Sequence, residues 1–344
     1  MFLKSVIKMS ERIEKWDILK AGLIFFVVLG HIADCYTDQS EIMRSVYLFI
    51  YIFHMPLFIF ISGLFSKRTV DELPADKIIG YLLVYLFSKI LFGLYNVIDI
   101  GRFRFSFLSS GGFPWFMFAI AVLPVIVHFL KRVKPSFVIS VSLVISLLAG
   151  YDSKVGDLFS LSRILVFFPF YYLGYILKPE TLQELTSKRW VKIASLCVIV
   201  VTVALVFVLG DTVYTLRPIF TGRNPYSVLE DNAVFGPLFR LLCYVCSFVL
   251  GFAFIAITPK KSPFKVISIF GKRTLSVYVY HSFVIYLLYN QFYFGEFLQS
   301  VLPDVLHFAA TIILAVIIVV VLSLKPFINS INTIFNIPKY ALRK

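Results

Sequence analysis

Charged residues are scarce in this sequence. Asp, Glu, Lys and Arg make up 15% of its 344 residues, whereas a soluble domain has about a quarter. Hydrophobic types make up 59%. This composition excludes a soluble globular domain and indicates an integral membrane protein. Only three tryptophans occur, against 38 phenylalanines and 19 tyrosines. The aromatic residues are spread along the chain, so we expect them on packed and lipid-facing helix surfaces as well as at the membrane interfaces.

Cysteine is also scarce. All four cysteines fall in apolar stretches, where a thiol behaves as a small hydrophobic group. Cys243 and Cys246 have the Cys-x-x-Cys spacing, but no second pair and no nearby histidine accompanies them. The pattern therefore favours packing over metal or redox chemistry, and no metal is expected.

The sequence also lacks a continuous basic face. Its net charge of +14 comes from short clusters between apolar runs, which excludes a nucleic-acid-binding protein. We find no internal repeat, no low-complexity tract and no polar stretch long enough for a separate extramembrane domain. Residues 1–344 are therefore expected to form one membrane domain. No small-residue cleavage site follows the basic N-terminal segment, which predicts an uncleaved signal anchor.

Ten apolar runs have the length of a transmembrane helix, about 17 to 25 residues. We therefore predict an all-α, polytopic helix bundle with both termini on the same side of a cell membrane. The predicted spans are residues 18–36, 46–65, 78–98, 113–130, 136–151, 160–177, 190–209, 236–257, 274–292 and 304–324.

Lysine and arginine set the predicted orientation. The side that holds the N-terminus carries 23 of them, and the opposite side carries seven. Because cytoplasmic loops are enriched in these residues, residues 1–15 and the tail 326–344 are predicted to be cytoplasmic, with the ten-helix bundle spanning residues 16–325.

His31 is the most informative residue, because an ionisable group deep in an apolar span usually faces protein or water and has a function there. Lys20 precedes it by eleven positions, about three helical turns, so both project from almost the same face about 16 Å apart. A neutral imidazole can accept a proton from a hydroxyl group. Asp34, one turn further, could orient its other nitrogen. Lys20, His31 and Asp34 are the candidate catalytic residues, although packing could also explain a buried histidine, and interfacial snorkelling could explain Lys20.

Two further histidines lie within spans. His54 is predicted at the depth of His31, so both could line one cavity, but His54 could instead satisfy the backbone carbonyl that Pro56 leaves free. His281 is predicted about two turns inside the cytoplasmic edge. Below it, Lys272 and Arg273 could meet phosphate groups from the cytosol, or could simply anchor the helix.

Arginine could bind a substrate near the outer side. Arg163 and Arg240 lie near the outer ends of their spans, and a guanidinium group presents a rigid set of donors that suits carboxylates, phosphates and sugar hydroxyls. Both could equally pair with Asp99, Asp157 or Asp231. The outer loop from Gly210 to Phe235 mixes charged, amide and aromatic side chains, which suits either sugar binding or an ordinary solvated loop. The sugar-binding candidates in this loop are Arg217, Arg223, Asn224, Tyr226, Glu230 and Asp231.

Several motifs, in order and spacing, resemble a known family. The stretch from Arg12 to Lys20 followed by Val27 to His31 is similar to the first helix of the bacterial membrane acyltransferases of family three, especially their fucose 4-O-acetylase-like branch. Phe53 to Gly63 is similar to the second helix of that family. Later segments of the family resemble Pro114 to Phe118, which includes Trp115, Phe168 to Tyr175, and Gly271 to His281. The resemblance covers about residues 11–290.

This resemblance implies transfer of an acyl group, usually acetyl, from cytoplasmic acyl-CoA to a hydroxyl of a cell-surface polysaccharide or its lipid-linked precursor. His31 takes the position of the essential histidine of the family, as a base or a transient acyl carrier, and Lys20 that of its basic partner. Trp115, His54, Arg163, Arg240 and His281 become candidate substrate contacts. The candidate CoA contacts are Lys67, Arg68, Lys272 and Arg273.

Two other functions compete with acyl transfer. A transporter or flippase for a lipid-linked oligosaccharide or small anion could use Arg163, Arg240 and His54 as a substrate path, although such proteins often contain internal repeats. A glycan polymerase would be expected to carry larger arginine-rich outer loops. The expected partners are membrane lipid, acyl-CoA and a glycan acceptor, and a homo-oligomer is compatible with the sequence.

Overall fold

The structure is a computed structural model that describes residues 14–106, 112–156, 158–262 and 264–341. Most of the predicted N-terminal segment lies outside these residues. So do Arg12 of the first motif and Asp157, one of the predicted arginine partners. Across the described part of the chain the secondary structure is helical, with no strand, which confirms the predicted all-α fold.

Along the residues that the structure describes, seventeen α-helices alternate with short turns. They are α1 (Glu14–Asp34), α2 (Glu41–Leu64), α3 (Lys67–Glu72), α4 (Ala75–Ile100), α5 (Trp115–Leu130), α6 (Pro135–Leu148), α7 (Leu161–Ile176), α8 (Pro179–Leu185), α9 (Arg189–Val208), α10 (Gly210–Tyr214), α11 (Arg217–Phe220), α12 (Gly236–Ile257), α13 (Lys265–Lys272), α14 (Thr274–Tyr286), α15 (Phe294–Val301), α16 (Asp304–Leu322) and α17 (Lys325–Ala341). Short 3₁₀ helices span Ala149–Tyr151, Ser153–Val155 and Tyr226–Phe235, and a π-helical turn, Leu287–Gln291, extends α14.

Each predicted span coincides with one of these helices. Within the described ranges, six helices are long and apolar enough to cross a membrane: α1, α2, α4, α9, α12 with the turn before it, and α16. A seventh crossing is formed if α7 and α8, which meet at a 90° bend, are taken together. The helices α5 and α6 are apolar but shorter. The fold is therefore an all-α membrane bundle, and the number of ten crossings stays a prediction.

The helices α1 and α2 lie at the centre of the bundle. Of their most apolar windows, 67% and 72% are buried within the protein, compared with 17% for α9. We call the end of the bundle where α1 begins the inner end and the end where α1 finishes the outer end, following the predicted orientation. Most side chains of α1 therefore point into the protein interior, where a functional residue of this helix would act.

Two glycines allow α2 and α7 to touch. A Cβ atom at Gly63 would collide with the backbone of Tyr171, and one at Gly174 would collide with the backbone of Phe60. Small residues permit this close approach of helix backbones in membranes, where packing rather than water expulsion drives association. The crossing fixes α7, and with it Arg163, relative to the central pair of helices.

Pro56 interrupts the hydrogen-bond ladder of α2, because proline has no backbone N–H to offer the carbonyl four residues earlier. That carbonyl, at Ile52, instead accepts a hydrogen bond of 2.5 Å from the Ser247 hydroxyl of α12. His54 donates from Nδ1 to the Ile50 carbonyl at 2.8 Å. The carbonyl freed by Pro56 therefore does not explain His54.

The segment predicted as a tail contains the amphipathic helix α17, which packs against α4. A Cβ atom at Gly80 of α4 would collide with the backbone of Phe335, and the Phe335 ring lies 5.0 Å from that of Tyr81. At its start, α17 contacts α14, where the Tyr280 hydroxyl lies 2.8 Å from Ser330 Oγ. Through these contacts α17 supports helices that wall the site described below.

Candidate active site

Two cavities lie one above the other along α1. The inner cavity has a volume of about 540 Å³ and is lined by Lys20. The outer cavity has a volume of about 380 Å³ and is lined by His31. The predicted stripe of Lys20 and His31 on one face of α1 is thus directed into two neighbouring cavities.

Three histidines from three helices come together beside the outer cavity. His31 and His54 both line it, as the sequence suggested for two histidines at one depth. The ring of His281, which is fully buried, lies 5.0 Å from that of His31. The ring of Tyr51 lies near two of these histidines, 6.4 Å from the ring of His31 and 4.8 Å from that of His54. The cluster joins α1, α2 and α14 at mid-bundle.

Backbone carbonyls fix the proton positions on two of these rings. A carbonyl only accepts hydrogen bonds, so Nδ1 of His54, 2.8 Å from the Ile50 carbonyl, carries its proton. His281 does the same toward the Tyr278 carbonyl at 2.7 Å, and its Nε2 lies 3.0 Å from the Ser282 hydroxyl. His31 is half-buried and faces the cavity. It is the member of the cluster best placed to exchange a proton with a bound molecule.

The expectation that Asp34 orients His31 needs correction. Oδ1 of Asp34 accepts a hydrogen bond of 2.5 Å from Nη2 of Arg217, and no hydrogen bond joins it to His31 among the residues that the structure describes. A charge-assisted bond to arginine is stronger than one to a neutral imidazole, which explains the choice of partner. Asp34 lines the outer cavity nonetheless, so it reaches the same space as His31 by a different contact.

Arg217 ties the outer loop to the central helices. It donates to the hydroxyls of Tyr47 at 3.1 Å and Tyr214 at 2.9 Å, and its guanidinium lies over the Tyr47 ring, 4.7 Å from the centroid. Burial would lower the pKa of Arg217, but the neighbouring Tyr47 and Asp34 raise it above its ordinary value. Arg217 is therefore held in its charged form in the wall of the outer cavity.

Trp115 and Arg163, two of the candidate substrate contacts, form another part of that wall. The Arg163 guanidinium lies 5.1 Å from the Trp115 ring centroid, and Trp115 stacks on Phe167 at 5.3 Å. Both residues line the outer cavity. An indole face and a guanidinium side by side are groups that bind sugars or anions.

Arg240, in contrast, is not brought into either cavity. It is 1% exposed and donates to the Ser146 carbonyl at 2.8 Å and the Asn224 carbonyl at 3.3 Å. Its guanidinium also lies 4.6 Å from the Tyr226 ring centroid. The predicted substrate contact of Arg240 is therefore corrected to a structural one, because this side chain spans from α12 to the outer loop.

Some residues of the outer loop line the outer cavity, and others do not. Arg223 and Asn224 line the outer cavity together with Arg217. Tyr226 is buried and donates to the Leu147 carbonyl at 2.6 Å. Glu230 and Asp231 are both exposed, and neither lines the cavity. The first part of the loop, up to Asn224, is the part placed for binding.

The inner cavity holds two lysines. Lys20 pairs with Asp17 at 2.9 Å, and Lys77 donates to the Thr69 hydroxyl at 2.7 Å. The indole N–H of Trp16 is buried in the wall and has no hydrogen-bond partner among the described residues. Asp17 and Glu180 also line the cavity, so its lining combines two lysines, two carboxylates and the indole donor of Trp16.

The four predicted CoA contacts lie outside this cavity. Lys67 and Arg68 are exposed side chains of α3, and Arg68 pairs with Glu72 at 3.0 Å. Lys272 is exposed, and Arg273 donates to the Ser323 carbonyl at the end of α16 at 3.0 Å. The prediction of these four residues as lining residues is corrected. The next residue after each charged pair, Thr69 or Thr274, lines the cavity instead.

Three further residues line the cavities although the sequence analysis did not name them as site residues: Tyr51, Lys77 and Tyr278. Tyr51 and Tyr278 each precede a predicted histidine by three positions, a spacing that places side chains on one helix face and could have indicated them. Lys77 had been counted only toward the topology. Tyr278 lines both cavities.

Comparison with known proteins identifies the family of the chain. The nodulation protein NolL of Sinorhizobium fredii (strain NBRC 101917 / NGR234) is 32% identical over 120 residues, which covers 30% of this chain and 33% of that protein. The chain thus spans about a third of the length of this relative. No solved structure matches the chain. The family described as an acyltransferase domain matches residues 13–324, and the chain therefore belongs to acyltransferase family three.

Proposed function

We propose that this membrane-bound O-acyltransferase moves an acetyl group from acetyl-CoA to a hydroxyl of a cell-surface polysaccharide or of its lipid-linked precursor. The observation that carries the proposal is the placement of Lys20 and His31 on one face of α1, each in its own cavity. Two adjoining cavities suit a reaction with two substrates. Family membership favours acyl transfer over the transport and polymerisation alternatives.

The inner cavity is the proposed donor site. It lies at the lysine-rich end of the bundle, which the predicted orientation turns toward the cytosol, the source of acyl-CoA. Lys20 and Lys77 would attract the CoA phosphates, and the indole N–H of Trp16 would gain a hydrogen-bond acceptor from the ligand. The exposed clusters at Lys67 and Lys272 could then add only long-range attraction.

The outer cavity is the proposed acceptor site. The aromatic faces of Trp115 and Tyr51 suit the apolar face of a sugar ring. Asp34, Arg217 and Asn224 present an acceptor and donors to its hydroxyl groups. This arrangement would hold one sugar hydroxyl against His31.

His31 would act as a general base. Its free nitrogen accepts the proton of the sugar hydroxyl while that oxygen attacks the thioester carbonyl carbon. As the new C–O bond forms, the C–S bond breaks, and the proton passes from His31 to the departing CoA thiolate. The products are an acetyl ester and CoA, and His31 returns to its neutral form. A transient acetyl-histidine is the competing route, and it would leave labelled acetyl on the protein when no acceptor is present.

The test is acetyl transfer by His31→Ala. Membranes that contain the protein are incubated with labelled acetyl-CoA and candidate glycans, and label in the glycan is measured. We expect His31→Ala to lose about 100-fold or more of the rate while remaining in the membrane. His128→Ala is the matched control, because His128 lies at the inner surface and contacts the Val70 carbonyl. Normal acetylation by His31→Ala would contradict the proposal.

A further inference from the structure

The wall between the two cavities is built from aromatic rings. On its inner side lie Phe58 and Phe116, with ring centroids 5.9 Å apart. Tyr278 of α14 packs on Phe116 at 5.1 Å, and it lines the inner and the outer cavity alike. We refer to Phe58, Phe116 and Tyr278 as the partition.

The Tyr278 ring is held in place. Its hydroxyl donates to the backbone carbonyl of Phe113, and its ring lies 5.7 Å from that of His281. The side chain is 5% exposed. A ring packed on several sides and tethered by its hydroxyl is poorly able to swing aside, because close-packed interiors resist displacement.

The partition is thin. Along α1, Ile24 lines the inner cavity and Val27 lines the outer one. Three residues of a helix rise by about 4.5 Å, so less than one helical turn separates the two spaces. His31 follows Val27 by about one further turn on the outer side. A thioester that enters from the inner cavity must therefore pass only a short constriction before its carbonyl carbon comes near His31.

The acyl chain leads through this constriction, because CoA fills the inner cavity behind it. An acetyl group has one methyl beyond its carbonyl carbon, whereas a longer chain must fit more methylenes into the outer cavity, which the Tyr278 ring also lines. We propose that Tyr278 is a specificity-determining residue that restricts the transferred group to acetyl. The proposal rests on the proposed function and adds to it the residue that sets the length of the acyl chain.

Three variants test the proposal with acetyl-, butyryl- and hexanoyl-CoA as donors and kcat/KM as the readout. Tyr278→Ala removes the ring, and since each methylene accommodated is worth about tenfold or more, we expect the butyryl-to-acetyl ratio to rise about tenfold or more. Tyr278→Phe keeps the ring and should hold the ratio within about twofold. Tyr244→Ala is the matched control, because Tyr244 is also buried and bonded to a carbonyl, that of Val166 at 2.5 Å, but lines neither cavity.

The outcomes separate this proposal from the proposed function. An unchanged ratio in Tyr278→Ala, or equal use of butyryl and acetyl donors by the unaltered protein, overturns the role of Tyr278 and leaves acetyl transfer intact. If Tyr278→Ala is not recovered in membranes, Tyr278→Leu carries the same expectation. Loss of transfer with every donor in both variants also overturns it, since the ring would then be required for reaction rather than selection. Failure of the unaltered protein to transfer any acyl group instead contradicts the proposed function.

Discussion

At the scale of single residues, the three histidines of the site differ in their hydrogen bonds. His54 and His281 each commit Nδ1 to a backbone carbonyl, which fixes their rings in the wall. His31 faces the outer cavity without such a bond to a carbonyl among the described residues. Fixed neighbours and a free central ring are what a proton-transfer group needs, since its geometry must be set while its nitrogen stays available.

The pair formed by Asp34 and Arg217 gives a residue-scale prediction for acceptor binding. Their side chains are 32% and 34% exposed, so solvent screens part of their attraction, and the pair should contribute about 1 kcal/mol. We expect Asp34→Asn to raise the KM for the acceptor about fivefold and to leave the KM for acetyl-CoA unchanged. Initial rates at varied acceptor and donor concentrations measure both values.

A second ion pair provides the control. Arg44 and Asp211 join α2 to α10, and neither lines the outer cavity. Asp211→Asn should therefore leave both KM values unchanged. A larger effect of Asp34→Asn on the donor than on the acceptor would contradict the assignment of the outer cavity to the acceptor.

Depth and helix face single out Lys20, His31, His54 and Arg163, and the family resemblance singles out Trp115. All five line the cavities, and their roles there stay predictions. Depth and face do not reveal which distant segment covers a side chain, which is why Arg240 was misplaced. The same limit hid the contact between Arg217 and Asp34, which lie 183 positions apart. Charge clusters at Lys67 and Lys272 follow the membrane surface, so their composition could not distinguish anchoring from binding.

At the scale of helices, the crossing of α2 and α7 is the contact most sensitive to added volume. Gly63→Ala or Gly174→Ala must push two backbones apart, and overpacking of this kind costs about 1 to 3 kcal/mol. We expect either change to lower the unfolding temperature of the purified protein. Gly22→Ala, in α1, is the control, because no atom lies within 4 Å of the added Cβ.

Thermal unfolding in detergent, followed by the loss of soluble monomer, checks this comparison. If Gly63→Ala were as stable as Gly22→Ala, the close approach of α2 and α7 would not be a structural requirement.

The long helices were predictable because a run of apolar residues is a strong local signal. The short elements were not. The apolar residues of α17, among them Phe327, Ile331 and Phe335, recur about once per turn between polar ones, so this helix has no continuous apolar run. The helices α8, α10 and α11 are too short for a helical period to emerge. The bend between α7 and α8 falls at the extended residues Leu177 and Lys178, directly before Pro179. Proline disfavours the helical conformation of the residue before it, a signal that a hydropathy window does not contain.

At the scale of the whole molecule, one helix, α1, runs past both cavities. The central helix α1 presents Lys20 to the inner cavity and His31 to the outer one, and the partition at Tyr278 keeps the two spaces apart. The donor and the acceptor would therefore approach from opposite ends of the bundle and meet at His31. This arrangement would let cytosolic acetyl-CoA modify a glycan that stays on the outer side.

Acetyl transfer across a sealed membrane tests this central claim most directly. The protein is reconstituted in vesicles with glycan acceptor trapped inside or supplied outside, and membrane-impermeant acetyl-CoA is added outside only. This donor serves only those molecules whose inner end faces outward. The account predicts labelled glycan when the acceptor is trapped inside, and loss of that label in His31→Ala. Label found only when the acceptor and the donor share one side would contradict it.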